Sequence, residues 1–176
     1  DLQAGGKLWV VVEMGRKIVG VEALVQAQRP AKVTLVDIGG NDSGAAQMLA
    51  GYGLAVEQTH QIADLPNEAF DDVIYFGSSK ATIDLLNDKL APRGLMNLVL
   101  GGVHIGKKVN VGVGRVHYGF IRWIGTMGLN AAESYQTIPA TGELRVNDQV
   151  VVIGGGGPMG QMHVIRNICS GVAGIS

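Results

Sequence analysis

Apolar and polar positions along this chain fall into blocks that are typical of strands and helices taken in turn. Continuous apolar runs predict buried parallel strands, and apolar residues spaced three or four apart predict the helices that cover them. Predicted strands lie at residues 7–12, 31–38, 54–59, 71–77, 95–102 and 120–125. Predicted helices lie at residues 16–28, 42–53 and 78–94. This order predicts an α/β fold, a Rossmann-like doubly wound parallel sheet in a three-layer αβα arrangement.

Capping residues and apolar stripes set the expected helix ends. The apolar stripe of the first helix consists of Ile18, Val21, Leu24 and Val25. Asp42 or Ser43 is placed to begin the second helix, and the serines at 78–79 are placed to begin the third. Pro92 and Gly94 are expected to close the third helix, because neither residue favours its continuation.

The end of the chain matches its beginning when the sequence is shifted by 140 positions. The residues that meet identical partners are Val10, Val11, Val12, Gly15 and Gly20. We therefore expect residues 1–140 to form a Rossmann-like domain with a degenerate glycine loop. Residues 141–176 would be a linker and the first β-α unit of a second Rossmann-like repeat, or a unit docked on the first sheet. The alternative is two unrelated strand-to-helix turns.

Within this tail, we expect residues 149–153 to form a buried strand and residues 158–168 a helix. The strand would join the first sheet or pair with another chain, because an isolated β-α unit leaves its hydrogen bonds and apolar faces exposed. Between them, Gly155, Gly157 and Gly160 have the G-x-G-x-x-G spacing. Such a loop permits a tight turn, lets a diphosphate approach the backbone and lets the helix pack closely.

The corresponding loop near the start of the chain lacks the middle glycine. Gly15 and Gly20 are retained, but Lys17 stands where the diphosphate would approach, and Glu13 adds a nearby negative charge. If the tail is docked so that the second loop lies at the carboxyl end of a parallel sheet, we expect that loop to accept a phosphate, sulfate or dinucleotide diphosphate and the first loop not to.

Asp37 ends the second predicted strand, 17 residues after Gly20. A carboxylate close to this place accepts hydrogen bonds from the adenosine ribose of NAD, so Asp37 favours NAD over NADP. The alternative is that Asp37 only terminates a strand.

Three segments of the sequence resemble a known enzyme family. Residues 70–102, 114–128 and 154–168 are similar to the cofactor domain of zinc-type medium-chain alcohol and polyol dehydrogenases, especially the branch containing L-sorbose-1-phosphate reductase. The resemblance implies that a Rossmann domain carries NAD(P) and that a separate GroES-like domain, missing here, holds the catalytic zinc. It also implies roles for a diphosphate loop and a ribose-binding acid. These residues are Gly155, Gly157, Pro158, Met159 and Gly160 for the loop and Asp37 for the acid.

Composition and charge narrow the classes of protein to which this chain can belong. The chain has 176 residues, a net charge of −1, one cysteine and 47% hydrophobic residues. Near-neutral charge argues against a nucleic-acid partner, and no apolar run approaches the length of a membrane span, so we expect a soluble cytoplasmic protein. The histidines lack metal-ligand spacing, and no metal site is expected in this chain. His117 and Tyr118, read as neighbours on a strand, would face opposite ways, and we assign no catalytic residue.

Three functional classes stay open. The first is the NAD(P)-binding portion of a medium-chain-type dehydrogenase or reductase, an oxidoreductase acting on an alcohol, a polyol or a sugar phosphate. We expect such a chain to be cut from a longer, homo-oligomeric enzyme and to be inactive alone. The second is a non-catalytic Rossmann-like structural or dimerisation module. The third is a transferase that uses S-adenosylmethionine, which fits the fold without any feature that favours it.

Overall fold

The computed structural model describes residues 1–38, 44–136, 138 and 144–176. The chain divides into two compact units, Asp1–Ile138 and Pro139–Ser176.

The first unit contains one six-stranded sheet in which every neighbouring pair is parallel. The strand order is β3-β2-β1-β4-β5-β6. The strands are β1 (Lys7–Glu13), β2 (Lys32–Ile38), β3 (Val56–Thr59), β4 (Phe70–Phe76), β5 (Leu90–Val99) and β6 (Arg122–Thr126). This is the strand order of two mononucleotide-binding halves that meet at β1 and β4. The predicted doubly wound parallel sheet is therefore confirmed.

Helices cover both faces of this sheet. They are α1 (Val21–Ala27), α2 (Ala45–Gly51), α3 (Lys80–Lys89), α4 (Val113–His117) and α5 (Glu133–Gln136). On one face, α1 and α2 bury Leu24 and Leu49 against alternate residues of β1 and β4. On the other face, α3 buries Ile83 and Leu86 against the intervening residues. Because both faces are covered, the central strands read as continuous apolar runs.

Two helix boundaries differ from the prediction. Helix α1 begins at Val21, so Ile18 lies outside it and packs against the core from the preceding loop. Helix α3 ends at Lys89, and β5 begins at Leu90. Pro92 and Gly94 therefore lie inside β5, beside the register shift between β4 and β5, where the irregular pairing accommodates a residue without an N–H. Asp42 and Ser43 lie outside the described residues.

The second unit is a β-α-β unit. Strand β7 (Gln149–Val150) pairs in parallel with β8 (Gly174–Ile175), and α6 (Pro158–Cys169) connects them. The predicted helix is present, but the predicted strand is shorter, and Val151 and Ile153 are 71% and 96% exposed rather than buried. Next to this pairing, the backbone N–H of Val152 donates to the carbonyl oxygen of Ser176 at 2.8 Å.

Candidate functional site

The site that the fold singles out is the carboxyl edge of the first sheet, where β1 and β4 lie side by side. Chain connections leave these two strands in opposite directions, to α1 and to α3, which opens a crevice where such folds bind ligands. Glu13 ends β1, and Gly77, Ser78 and Ser79 follow β4. Ser79 caps α3 by accepting a hydrogen bond from the backbone N–H of Thr82 at 3.3 Å.

A hydrogen-bond network around Glu13 links the ends of β1 and β4 at this crevice. One carboxylate oxygen accepts a hydrogen bond from the Tyr75 hydroxyl, and the other accepts from the backbone N–H of Ser78 at 3.1 Å. The Tyr75 oxygen in turn accepts from the N–H of Ser79 at 3.0 Å. Burial, followed by the hydrogen bond to Glu13, raises the pKa of Tyr75, so the hydroxyl stays protonated and acts as a donor. The Glu13 carboxylate thus places a negative charge beside the crevice.

Gly77 is required by this arrangement. A Cβ atom at position 77 would lie 2.5 Å from the Glu13 carboxyl carbon and 2.5 Å from the Tyr75 ring. Arg16 reaches over from the first glycine loop, with Nη1 3.4 Å from the carbonyl oxygen of Gly101 and Nη2 3.5 Å from the Ser78 hydroxyl. The loops after β1, β4 and β5 therefore contact one another across the crevice.

Other residues of the protein hydrogen-bond to the first glycine loop and pack against it. Gly20 adopts φ = 84° at the N-cap of α1, and its N–H donates to the Glu22 carboxylate at 3.2 Å. A Cβ atom there would overlap the side-chain oxygen of Asn130. Lys17 is exposed. In this conformation an acidic side chain and an amide occupy the space beside the helix start, which does not fit a diphosphate.

The second glycine loop, in contrast, leaves space beside the start of its helix at Gly157. A Cβ atom on Gly160 would overlap the carbonyl oxygen of Gly154, so the helix start packs directly against the loop backbone. At Gly157, the N-cap of α6, a Cβ atom would make only an ordinary contact of 3.7 Å with that oxygen. Pro158 occupies the first helical turn. Within the described residues, the N–H groups of Met159 and Gly160 donate to no group of the chain. This geometry fits a phosphate or diphosphate.

Asp37 lies one residue before the end of β2, half-buried and opposite Val12 in register. Asp37 therefore lies at the carboxyl edge of the first sheet. Asp37 belongs to the first unit, whereas the five loop residues of the predicted site belong to the second.

The sequence interpretation missed the role of Tyr75 and misplaced His117. Tyr75 reads as one more large residue in a buried strand, and only the pairing of β4 with β1 shows that its hydroxyl reaches Glu13. His117 and Tyr118 lie at the end of α4 rather than on a strand, with ring centroids 4.7 Å apart in an edge contact. Among residues 1–38, 44–136, 138 and 144–176, no three His, Cys, Asp or Glu side chains are grouped to hold a metal ion. No helix in that part of the chain is long and apolar enough to cross a membrane.

Comparisons with known proteins place the chain beside dehydrogenase structures at low identity. No family model and no curated protein matches the sequence. Acetophenone reductase from Geotrichum candidum, in complex with NAD, is 18% identical, with a TM-score of 0.46 over 76% of this chain and 37% of that one. Benzyl alcohol dehydrogenase from Acinetobacter calcoaceticus is 12% identical, with a TM-score of 0.49 over 77% and 38%.

A third similar structure, 2R,3R-butanediol dehydrogenase from Bacillus subtilis, is 12% identical, with a TM-score of 0.48 over 98% of this chain and 51% of that one. The chain thus spans between 37% and 51% of the length of these three proteins. The fold assignment itself rests on the strand order and the parallel pairing. By that criterion the first unit has the Rossmann-like α/β fold.

Proposed function

We propose that this chain is the NAD(P)-binding portion of a medium-chain-type dehydrogenase or reductase acting on an alcohol, a polyol or a sugar phosphate. The observation that carries the proposal is the parallel sheet of order β3-β2-β1-β4-β5-β6, with glycine-bearing loops at its carboxyl edge. The resemblance of residues 70–102, 114–128 and 154–168 to that family supports the same reading.

Each predicted cofactor residue has a distinct part in this proposal. The loop Gly155–Gly160 holds the diphosphate on the N–H groups at the start of α6, where Gly157 leaves space and Gly160 brings helix and loop together. Pro158 and Met159 form the first helical residues of that loop. Asp37 belongs to the first unit and is considered separately: an acid at the carboxyl end of β2 accepts hydrogen bonds from an adenosine ribose, which favours NAD over NADP. The substrate and the catalytic zinc are held by another part of the enzyme.

Calorimetric titration with NAD and with NADP tests this assignment. Gly157→Val places a branched side chain where the diphosphate approaches, and we expect it to abolish binding. Gly156→Val is the matched control, because a Cβ atom at position 156 meets nothing within 4 Å and the G-x-G-x-x-G spacing is kept. Asp37→Asn should weaken NAD binding more than NADP binding. Binding that persists in Gly157→Val and disappears in Lys17→Gly would assign the cradle to the first loop instead.

A second candidate function is a non-catalytic Rossmann-like structural or dimerisation module. The acidic groups at the first loop favour it, because Glu13 accepts the N–H of Ser78 beside β1 and β4, and Glu22 accepts the N–H of Gly20 at the start of α1. If this is the function, neither NAD nor NADP will bind at millimolar concentration. The wild-type chain will then associate with itself in sedimentation experiments.

A further inference from the structure

A small cavity lies at the amino edge of the first sheet, remote from the carboxyl edge described above. It has a volume of about 340 Å³ and is lined by Arg93, Phe120 and Arg122. Arg122 is the first residue of β6, and Arg93 lies in the early part of β5, before the regular pairing with β6 starts at Leu95. Two guanidinium groups and one aromatic ring therefore share a single concave surface.

In the part of the chain that the structure describes, neither arginine forms an ion pair with a carboxylate. Among the described residues, no Asp or Glu oxygen lies within 4 Å of either guanidinium group. Arg122 Nη2 makes one long contact of 3.5 Å, to the carbonyl oxygen of Arg93. Asp72, on β4, faces the same side of the sheet as Arg122 but is 4% exposed and accepts a hydrogen bond from the backbone N–H of Gln3 at 2.6 Å. Among the described residues, two like charges thus line the cavity with no carboxylate in contact, and Asp72 interacts with Arg122 only at longer range.

The backbone beside this cavity is strained. Arg93 has φ = 66° and Phe120 has φ = 54°, in the left-handed region that side chains other than glycine rarely adopt. A hydrogen bond of 2.6 Å from the Arg93 N–H to the Gly119 carbonyl holds the two segments together. Glycine at either position would relieve the strain, so the chain keeps these side chains at a cost in stability. Such residues concentrate at binding sites.

Phe120 adds the third feature. Its side chain is 61% exposed although it is large and apolar, so it covers no core. An aromatic ring beside guanidinium groups presents a flat apolar surface next to positive charge, which suits a ligand that has both a ring and an anionic group.

We propose that Arg93, Phe120 and Arg122 form a binding site for an oxyanion, phosphate or carboxylate, carried on a flat ring. The two guanidinium groups pair with the anion oxygens, and the Phe120 ring stacks on the ring of the ligand. This site is independent of the dinucleotide loop and of the function proposed above.

The test is calorimetry at low ionic strength with four probes: phenyl phosphate, benzoate, inorganic phosphate and phenol. We expect phenyl phosphate or benzoate to bind more tightly than inorganic phosphate and phenol, because only they combine the ring with the anion. The better of the two identifies the anionic group. Affinity should fall as salt is added. Wild-type protein that binds neither ring-bearing anion, or binds inorganic phosphate equally well, overturns the proposal.

Glycine variants separate binding from folding. Arg93→Gly and Phe120→Gly fit the left-handed backbone, so we expect an unchanged or raised melting temperature together with an affinity loss of about tenfold or more. Glu68→Gly is the matched control, since Glu68 also has a positive φ of 53° and does not line the cavity. It should preserve the melting temperature and leave the affinity unchanged. Arg122→Gln, at a position without a positive φ, should weaken binding similarly. Unchanged affinity in both arginine variants would show that the cavity does not bind these anions.

Discussion

Replacing Tyr75 by phenylalanine measures how much the hydrogen-bond network between β1 and β4 contributes to stability. The Tyr75 side chain is 0% exposed, and its hydroxyl bonds both the Glu13 carboxylate and the N–H of Ser79. A hydrogen bond to a charged group contributes about 1.5–3 kcal/mol, and losing it also leaves the Ser79 N–H unpaired. Glu13 is only half-buried, which keeps the loss near the lower end. We expect Tyr75→Phe to lower the free energy of unfolding by about 2 kcal/mol.

A double-mutant cycle with Glu13→Ala tests whether the two residues act together. Both tryptophans, Trp9 and Trp123, lie in the first unit, so their fluorescence during urea unfolding reports on that unit. The coupling energy should be about 1–2 kcal/mol, and Tyr52→Phe, at a tyrosine that is 37% exposed, should change stability by less than about 0.5 kcal/mol. If the effects of Tyr75→Phe and Glu13→Ala simply add, to within about 0.5 kcal/mol, the hydrogen bond between these residues does not contribute to stability as expected.

Three further changes probe stability in the first unit. Asp72→Asn should be more stable than wild type near pH 7, because burial raises the pKa of Asp72 and the charged carboxylate destabilises the fold. Melting temperatures measured at falling pH should show this difference shrinking as the wild-type carboxyl becomes protonated, beginning above its ordinary pKa of 3.8. Gly20→Ala should lower the free energy of unfolding in urea by about 2–4 kcal/mol, because φ = 84° disfavours a side chain and the new Cβ atom meets Asn130. A decrease below about 1 kcal/mol would contradict that packing. Ser79→Ala should cost about 1 kcal/mol through loss of the α3 cap, and Ser79→Asp should retain most of the stability.

The sequence was sufficient for the strands whose burial is continuous. Strand β1 and strand β4 are covered on both faces, so their apolar runs identify them without knowledge of their neighbours. The start of β5 could not be predicted, because Pro92 and Gly94 are typical of a helix end, whereas the chain passes from α3 into the sheet at Leu90 without a turn.

The candidate site depended on contacts that local patterns do not contain. Glu13 and Tyr75 are 62 positions apart, and their hydrogen bond exists only because β1 and β4 are adjacent. Glycine spacing indicated both loops correctly as strand-to-helix turns, but it did not reveal that Glu22 and Asn130 close the first one. The exposed Val151 and Ile153 show a related limit: apolar character predicts a strand, while its length depends on a partner strand.

The central place of β1 has a consequence for how the protein folds during synthesis. Strand β1 leaves the ribosome before the other five strands of this sheet, and β2 pairs with one of its edges 25 residues later, counting from Lys7 to Lys32. The other edge pairs with β4, which begins at Phe70. Until that strand emerges, the nascent chain carries a strand with five consecutive apolar residues, Leu8–Val12, and one row of unsatisfied backbone groups, a condition that favours intermolecular pairing. Slow translation between residues 39 and 69 would therefore lengthen the period in which the nascent chain depends on chaperones.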